Sequence, residues 1–196
     1  MSIKLFAALF LSAFCLLACA DSSDSNNIKL NSQAVIVQED KLMPQEGWKT
    51  LTDSLYTIQY PENWEMNYTG QLGLSFVVVS PIEDEKDQFR ENLSLVVQSM
   101  NADDSSLKDF AEDNTYQIVD MITDGKIVKN EEATLSGVTF REVTYSGNQN
   151  NMDFINTQRY YFHNNKAYIL TFTCAAQHYD KFKPQIKKLM DTLRFQ

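Results

Sequence analysis

The side chains best suited to bind an anion stand close together in the middle of the chain. Asp87, Arg90, Glu91 and Asn92 lie in one short segment between two apolar runs. The planar guanidinium of Arg90 could hold a carboxylate or a phosphate through two parallel hydrogen bonds. The same polar group could instead cap a short helix and hold a loop against a sheet. We favour this structural role and keep partner binding by the four residues as the functional hypothesis.

Residues that bind metals or act as nucleophiles are few and poorly spaced. Cys174 and His178 could supply two zinc ligands, but a zinc site needs about four, and a predicted change from strand to helix separates the two. The acidic run Glu83–Asp87 lacks the alternating ligands and central glycine of a calcium loop, so we expect a solvated turn there. The sequence contains neither a Gly-x-Ser-x-Gly motif nor a phosphate-binding glycine loop. We therefore predict no catalytic residue, no metal site and no cofactor.

A different chemistry is predicted at the N-terminus. Lys4 precedes an apolar run, residues 5–18, of about 14 residues, whereas a helix needs roughly 20 to span a bilayer. The run ends in the letters LLAC (residues 16–19), a pattern typical of a secretory signal with its cleavage site. This ending resembles the lipobox of bacterial lipoproteins, which implies that Cys19 is lipidated and becomes the mature N-terminus. The alternatives are an ordinary signal peptide with a chance cysteine and an uncleaved anchor.

The lipobox resemblance also implies where the protein resides. Residues 1–18 are then a lipoprotein signal peptide, and the mature protein is attached to a membrane of the bacterial cell envelope by lipid on Cys19. One acyl chain binds a membrane marginally, and two or more hold it stably. Ala20 occupies the position at which aspartate retains the best-studied Gram-negative lipoproteins in the inner membrane. We therefore expect the outer membrane.

Composition divides the mature chain into a tether and one domain. Residues 19–47 begin with a stretch rich in Ser, Asn and Asp and are predicted to form a flexible tether, followed by a single domain over residues 48–196. Removing residues 1–18 takes away only Lys4, so the formal net charge changes from −9 to −10. So acidic a chain is a poor candidate for binding nucleic acid or for docking directly on anionic lipid. We expect a monomer.

Apolar periodicity predicts a domain built mainly from strands. Strands are expected at residues 56–60, 74–80, 93–100, 127–134, 138–146, 154–163 and 167–174. Turns are predicted at Ser136-Gly137, at Asn164-Asn165 and over a longer loop at residues 147–151. Cys174 falls on the apolar face of the last strand, so we predict a core residue there rather than a reactive thiol.

Two segments change to a helical period. The first runs from Leu107 to Ile122, with Ser106 as predicted N-cap and Gly125 as predicted C-cap, and the second ends the chain. Hairpin connections imply an antiparallel sheet, and the apolar runs 74–80 and 93–100 imply strands covered on both faces. We therefore predict an α+β fold in which an antiparallel β-sheet is flanked by helices on both faces, an α/β/α sandwich.

Four short motifs in order resemble one known family. They are YTIQYPENW at residues 56–64, Ser80-Pro81, the segment Asp87–Asn92, and NNKAY at residues 164–168. Together they are similar to the PsbP-like proteins, which include many bacterial lipoproteins of this size, over roughly residues 48–195. The resemblance implies a central antiparallel sheet between helical layers and a non-enzymatic accessory or binding role. The plant members are subunits of photosystem II, and nothing in this sequence indicates such a role.

Charge is distributed unevenly along the chain. Residues 83–124 hold 12 acidic and 3 basic side chains, whereas residues 178–196 hold 5 basic and 2 acidic ones. If the two helices lie on opposite faces, one face is acidic and the other basic, which could orient the protein on a partner.

Three functions are compatible with these features. The leading hypothesis is a membrane-tethered lipoprotein of the bacterial envelope that acts as a non-enzymatic binding or assembly accessory for an unidentified envelope protein. The alternatives are a carrier of a small apolar ligand, suggested by the aromatic strands, and a hydrolase whose site has no sequence motif.

Overall fold

The computed structural model describes residues 42–67, 73–84, 87, 89–100 and 106–196. The predicted signal peptide, Cys19 and residues 19–41 of the predicted tether lie outside the described residues. The elements of the described part are β1 (Trp48–Thr52), β2 (Tyr56–Pro61), β3 (Glu65–Asn67), β4 (Leu74–Val79), β5 (Asn92–Ser99), α1 (Leu107–Met121), β6 (Thr123–Leu135), β7 (Val138–Gln149), β8 (Met152–His163), β9 (Lys166–Ala175), a 3-10 turn (Ala176–His178), α2 (Tyr179–Met190) and β10 (Arg194–Phe195). Neither α1 nor α2 is both long and apolar enough to cross a bilayer.

Most of these strands belong to one antiparallel sheet with the order β3-β4-β5-β9-β8-β7-β6. Two-residue turns at Ser136-Gly137, Asn150-Asn151 and Asn164-Asn165 connect its long hairpins, and all six residues have positive φ. Turns of this kind match the right-handed twist of paired strands, and Asn and Gly adopt them at low cost. The predicted turns at 136–137 and 164–165 are confirmed. The predicted loop at 147–151 is wrong in length, because β7 continues to Gln149.

A second sheet joins segments that are far apart in sequence. β2 lies between β1 and β10 in a three-stranded antiparallel sheet. The backbone N–H of Gln59 in β2 donates to Thr192 Oγ1 at 3.0 Å, and the Thr192 hydroxyl donates to the carbonyl of Leu189 in α2 at 2.7 Å. The predicted sandwich contained a single sheet. The second one was missed because β10 is only two residues long and leaves no periodic signal.

The small sheet and α2 share one core with the large sheet. Phe182, Ile186 and Leu189 of α2 are buried in the same cluster as Leu170 and Phe172 of β9. Cys174 is completely buried in this cluster, which confirms the prediction of a core residue.

α1 packs against a separate core. That cluster contains Ala111, Ile118, Val143, Tyr145, Phe154 and Tyr160. A polar group is buried with it: the Thr115 hydroxyl lies 3.1 Å from that of Tyr160, which donates to Gln158 Oε1 at 2.6 Å. These mutual hydrogen bonds satisfy polar atoms that would otherwise be costly to bury.

α1 begins where predicted and ends earlier. Ser106 accepts a hydrogen bond from the N–H of Asp109 at 3.2 Å and is the N-cap, as predicted. The C-cap is Ile122, so the prediction of Gly125 is wrong. Gly125 lies in β6, where a Cβ would come within 2.1 Å of the Val119 carbonyl oxygen. Glycine is needed there because the strand passes close to the helix end.

The prediction that residues 74–80 and 93–100 are covered on both faces is also wrong. In β4, Phe76 and Val78 are buried, whereas Val77 and Val79 are only half-buried. The burial of β5 alternates in the same way at its start. The reason is that α1 packs mainly against β6, β7 and β8, at the other end of the sheet order. What the structure supports is a mostly antiparallel fold with two short helices.

Candidate functional site

The predicted polar cluster lies where the ends of β4, β5 and β9 meet the start of α2. Asn92 is the first residue of β5 and pairs with Thr173, close to the end of β9. This register places Glu91 beside Cys174 and, one turn further along the chain, beside His178. Ser80, which follows β4, completes the group. Residues from four segments of the chain therefore meet at one position.

Glu91 is the centre of this group. Its side chain is only 1% exposed. Oε1 lies 2.9 Å from Nδ1 of His178, and Oε2 accepts a hydrogen bond from the Ser80 hydroxyl at 3.2 Å. The N–H of Ser80 also donates to the Glu91 carbonyl at 2.8 Å. Burying a carboxylate is costly unless such partners satisfy it, so the surrounding residues fix Glu91 in place.

Asp87 and Asn92 organise the loop that leads to Glu91. The Asp87 carboxylate accepts the N–H of Glu83 at 2.9 Å and that of Phe89 at 3.2 Å. The Asn92 amide donates to the carbonyl of Arg90 at 3.3 Å. Both side chains thus bond within their own loop, as the structural interpretation of this segment predicts.

Arg90 joins the loop to two strands. Its Nε donates to the carbonyl of Ser80, and its Nη1 forms an ion pair with Glu65 of β3 at 2.9 Å. Because the Glu65 side chain is 71% exposed, this ion pair contributes little stability. The guanidinium is used to position the loop, and binding of a partner by these four residues stays a hypothesis.

Cys174 and His178 are not arranged in the way that zinc binding or nucleophilic catalysis would require. Both side chains contact Glu91 Oε1, with the thiol 3.9 Å away. Within the described residues, no three His, Cys, Asp or Glu side chains are placed to hold a metal ion. Burial raises the pKa of the Cys174 thiol to about 12, and the nearby Glu91 carboxylate adds to the shift. A thiol that stays protonated is a poor nucleophile.

This environment predicts that Cys174 is unreactive in the folded protein. In a variant that comprises residues 19–196 and carries Cys19→Ser, Cys174 is the only cysteine. We expect Ellman's reagent to modify less than about a tenth of the thiol at pH 8 in the time that modifies it fully in urea, because both burial and protonation oppose attack. Equal rates in the two conditions would contradict the buried position.

The arrangement of Ser80, Glu91 and His178 also differs from that of a hydrolase. In a catalytic triad the histidine lies between the serine, whose proton it removes, and the carboxylate. Here the carboxyl group lies in the middle: its Oε2 accepts from the Ser80 hydroxyl, and its Oε1 lies 2.9 Å from Nδ1 of His178. The Ser80 hydroxyl therefore donates to a buried acid that also contacts the imidazole of His178. This arrangement connects the segments that carry Ser80, Glu91 and His178.

A shallow cleft of about 230 Å³ lies beside this group. It is lined by Asn63, Trp64, Ser80, Pro81, Glu83, Lys181, Phe182 and Gln185. Trp64 and Phe182 are almost completely buried, whereas Glu83 and Lys181 form an exposed ion pair. Sequence reasoning missed the cleft because its residues come from three separate segments. Trp64 and the Ser80-Pro81 pair belong to the family-like motifs, and this was the only sequence signal of the cleft.

A second charged group was also missed. Arg159 of β8 is 3% exposed and forms ion pairs with Glu142 at 2.7 Å and Asp191 at 2.8 Å. Its guanidinium lies 4.5 Å from the ring centre of Phe140. A cleft of about 220 Å³ borders the group. Lys129, Lys187 and Glu131 also line it, so its three basic and three acidic side chains balance. An arginine directly before the aromatic run Tyr160–Phe162 of β8 was the signal that could have identified them.

Comparison with known families settles the relationship that the motifs suggested. The PsbP family profile matches residues 47–195. The chain belongs to the PsbP family. The predicted resemblance is thereby confirmed, and the matched range includes the polar cluster, the cleft and both sheets. No curated protein matches this PsbP-family chain.

Three solved structures share its fold. The cyanobacterial PsbP protein CyanoP from Synechocystis sp. PCC 6803 is 14% identical with a TM-score of 0.59, and the match covers 78% of this chain and 95% of CyanoP. LpqN of Mycobacterium tuberculosis, described as involved in cell envelope biogenesis, is 9% identical with a TM-score of 0.55 and coverages of 76% and 90%. PA94 of Pseudomonas aeruginosa, a protein of unknown function, is 13% identical with a TM-score of 0.53 and coverages of 74% and 94%. At these identities the similarity is one of fold.

Proposed function

We propose that this PsbP-family protein is a lipid-anchored, non-enzymatic accessory of the bacterial cell envelope that binds a protein partner at the cleft beside Glu91. One observation carries the proposal: the buried hydrogen bonds of Glu91 hold the loop after β4 against the start of α2. A surface fixed in advance loses less conformational entropy when it binds. The envelope role described for LpqN agrees with the cellular location that the lipobox-like motif implies.

The cleft favours a protein partner over a small ligand. Its volume of about 230 Å³ is below the roughly 300–1,000 Å³ of typical small-molecule sites. Pro81 and Phe182 offer apolar contact, and the amides of Asn63 and Gln185 offer hydrogen bonds, a combination suited to a partner's side chain. The carrier alternative has less support, because aromatic strand residues such as Phe172 are buried in the core.

The layers of the fold support a one-sided interface. Tyr160 and Tyr161 are neighbours in β8, yet the first belongs to the α1 core and the second to the α2 core. Successive residues of a strand point to opposite faces. We therefore propose that α1 and α2 lie on opposite faces of the large sheet, so that a partner at the cleft contacts the side of α2 that carries Lys181 and Gln185. We further propose that the protein is monomeric and anchored in the outer membrane.

The lipid anchor is tested by metabolic labelling. Cells expressing the full chain are grown with radioactive palmitate, and we expect label on the wild type and none on the variant Cys19→Ser. Cys174→Ser is the matched control and should keep full labelling, since that thiol is buried. Label persisting on Cys19→Ser would overturn the anchor.

The interface is tested by photo-crosslinking in intact cells. A photoreactive amino acid is placed at Gln185, which lines the cleft, or at the exposed Gln117 of α1 as control. We expect Gln185 to give a discrete adduct with an envelope protein, at a yield at least several-fold above that of Gln117. Equal adducts from both positions, or none from Gln185, would refute the proposed interface.

A further inference from the structure

The outer surface of α2 is basic although the whole protein is acidic. Over Tyr179–Met190 the helix carries four lysines and one aspartate, a formal charge of +3. Lys183, Lys187 and Lys188 are exposed, and Lys187 also forms an ion pair with Asp191, the residue that follows the helix. We call these three lysines the lysine face. By contrast, α1 carries one lysine and four acidic residues, a formal charge of −3.

The two charges do not cancel at a surface that approaches α2. Helices on opposite faces of a sheet are separated by two layer spacings of about 10 Å each. Exposed charges separated by more than about 8–10 Å are largely screened at physiological salt. An anionic surface next to α2 therefore meets the lysine face and is hardly affected by the acidic residues of α1. The net charge of the whole chain, which argued against lipid docking, conceals this segregation.

The small sheet lies next to the lysine face. Trp48 is the first residue of β1, and the Nζ atom of Lys188 lies 4.5 Å above the centre of its ring. The chain just before Trp48 lies against β2, where the Gln59 amide donates to the carbonyl of Met43 at 3.0 Å and accepts from the Gln45 amide at 2.8 Å. The lysine face therefore borders β1, an edge strand of the small sheet.

We propose that the lysine face lies against an anionic phospholipid surface and thereby orients the domain on the membrane. The orientation rests on the proposed lipid anchor, which supplies the membrane's proximity. Each lysine near such a surface strengthens binding by about fivefold. With α2 towards the membrane, the acidic α1 points away from it, so charge attraction and repulsion favour the same orientation.

Vesicle partitioning tests this surface without the anchor. Residues 19–196 with Cys19→Ser are sedimented at physiological ionic strength with vesicles of phosphatidylglycerol and phosphatidylethanolamine or of phosphatidylcholine alone. We expect binding to the anionic vesicles only, weakened roughly 25-fold by Lys183→Gln with Lys188→Gln. The matched control, Lys108→Gln with Lys126→Gln, removes two exposed lysines elsewhere and should bind like the wild type.

Several outcomes would overturn the inference. Equal loss in the two double variants, or equal binding to phosphatidylcholine, would show that the lysine face is not the docking surface. Retained binding by Lys183→Gln with Lys188→Gln would do the same. Because no lipid is attached in this assay, a negative result leaves the anchor on Cys19 intact. Conversely, failed palmitate labelling would not affect the vesicle binding, which is measured on a protein without lipid.

Discussion

Replacing Glu91 by alanine is expected to lower the free energy of unfolding by about 2–4 kcal/mol. The substitution removes a carboxylate that is 1% exposed and leaves the His178 ring nitrogen and the Ser80 hydroxyl without their shared partner. It also creates a cavity where β4, β5 and the start of α2 meet. Urea unfolding followed by tryptophan fluorescence measures the change.

Glu83→Ala is the matched control for this experiment. Glu83 lies in the same loop and also pairs with a basic residue near the start of α2, Lys181, but both side chains are exposed. Its loss should change the free energy of unfolding by less than about 0.5 kcal/mol. Similar effects of the two substitutions would contradict the role of Glu91 as the central support of the loop.

Arg159→Met is expected to be at least as damaging, with a loss of about 3–5 kcal/mol. The buried guanidinium bridges Glu142 of β7 and Asp191 at the end of α2. Methionine leaves both carboxylates partly buried without their shared cation. Lys187→Met is the control, because Lys187 also pairs with Asp191 but is 71% exposed. A cost below about 1 kcal/mol for Arg159→Met would show that this bridge is not a main support.

The same variant should alter the dependence of stability on pH. Burial alone would raise the pKa of Glu142, but hydrogen bonds from Lys129 and Arg159 outweigh it, so the pKa of that carboxyl is lowered. The pKa of Asp191 is lowered against burial in the same way by Lys187 and Arg159. A lowered pKa in the folded state stabilises the protein above the unfolded pKa, and this contribution is lost as the pH falls through the folded one.

We therefore expect the wild type to lose stability as the pH falls below 4.5, the ordinary pKa of Glu142, and further below 3.8, that of Asp191. Arg159→Met should show a shallower loss over the same range, because both carboxyls then have pKa values closer to ordinary. Unfolding curves at a series of pH values measure this. Parallel curves for the two proteins would contradict the assignment.

Local patterns predicted the elements that depend on neighbours in sequence. The turn at Asn164-Asn165, the N-cap at Ser106 and the core position of Cys174 follow from turn chemistry, capping and strand alternation. Each involves residues only a few positions apart, so periodicity and residue type were sufficient.

What the sequence could not predict depends on contacts between distant segments. Glu91 was identified as part of a polar cluster, but its partners Ser80 and His178 lie 11 and 87 residues away. No periodic pattern encodes such a meeting. The small sheet was missed for the same reason, because β10 is too short to register as a strand without its partner β2.

The bond between Gln59 and Thr192 joins residues 133 positions apart, and this separation has a kinetic consequence. Chains whose native contacts span long stretches fold slowly, since the entropy of closing a large loop is lost before the contact forms. The three-stranded sheet requires residue 192 to be present before it can close. During synthesis, the apolar surface of β2 therefore stays exposed until almost all of the described chain has emerged.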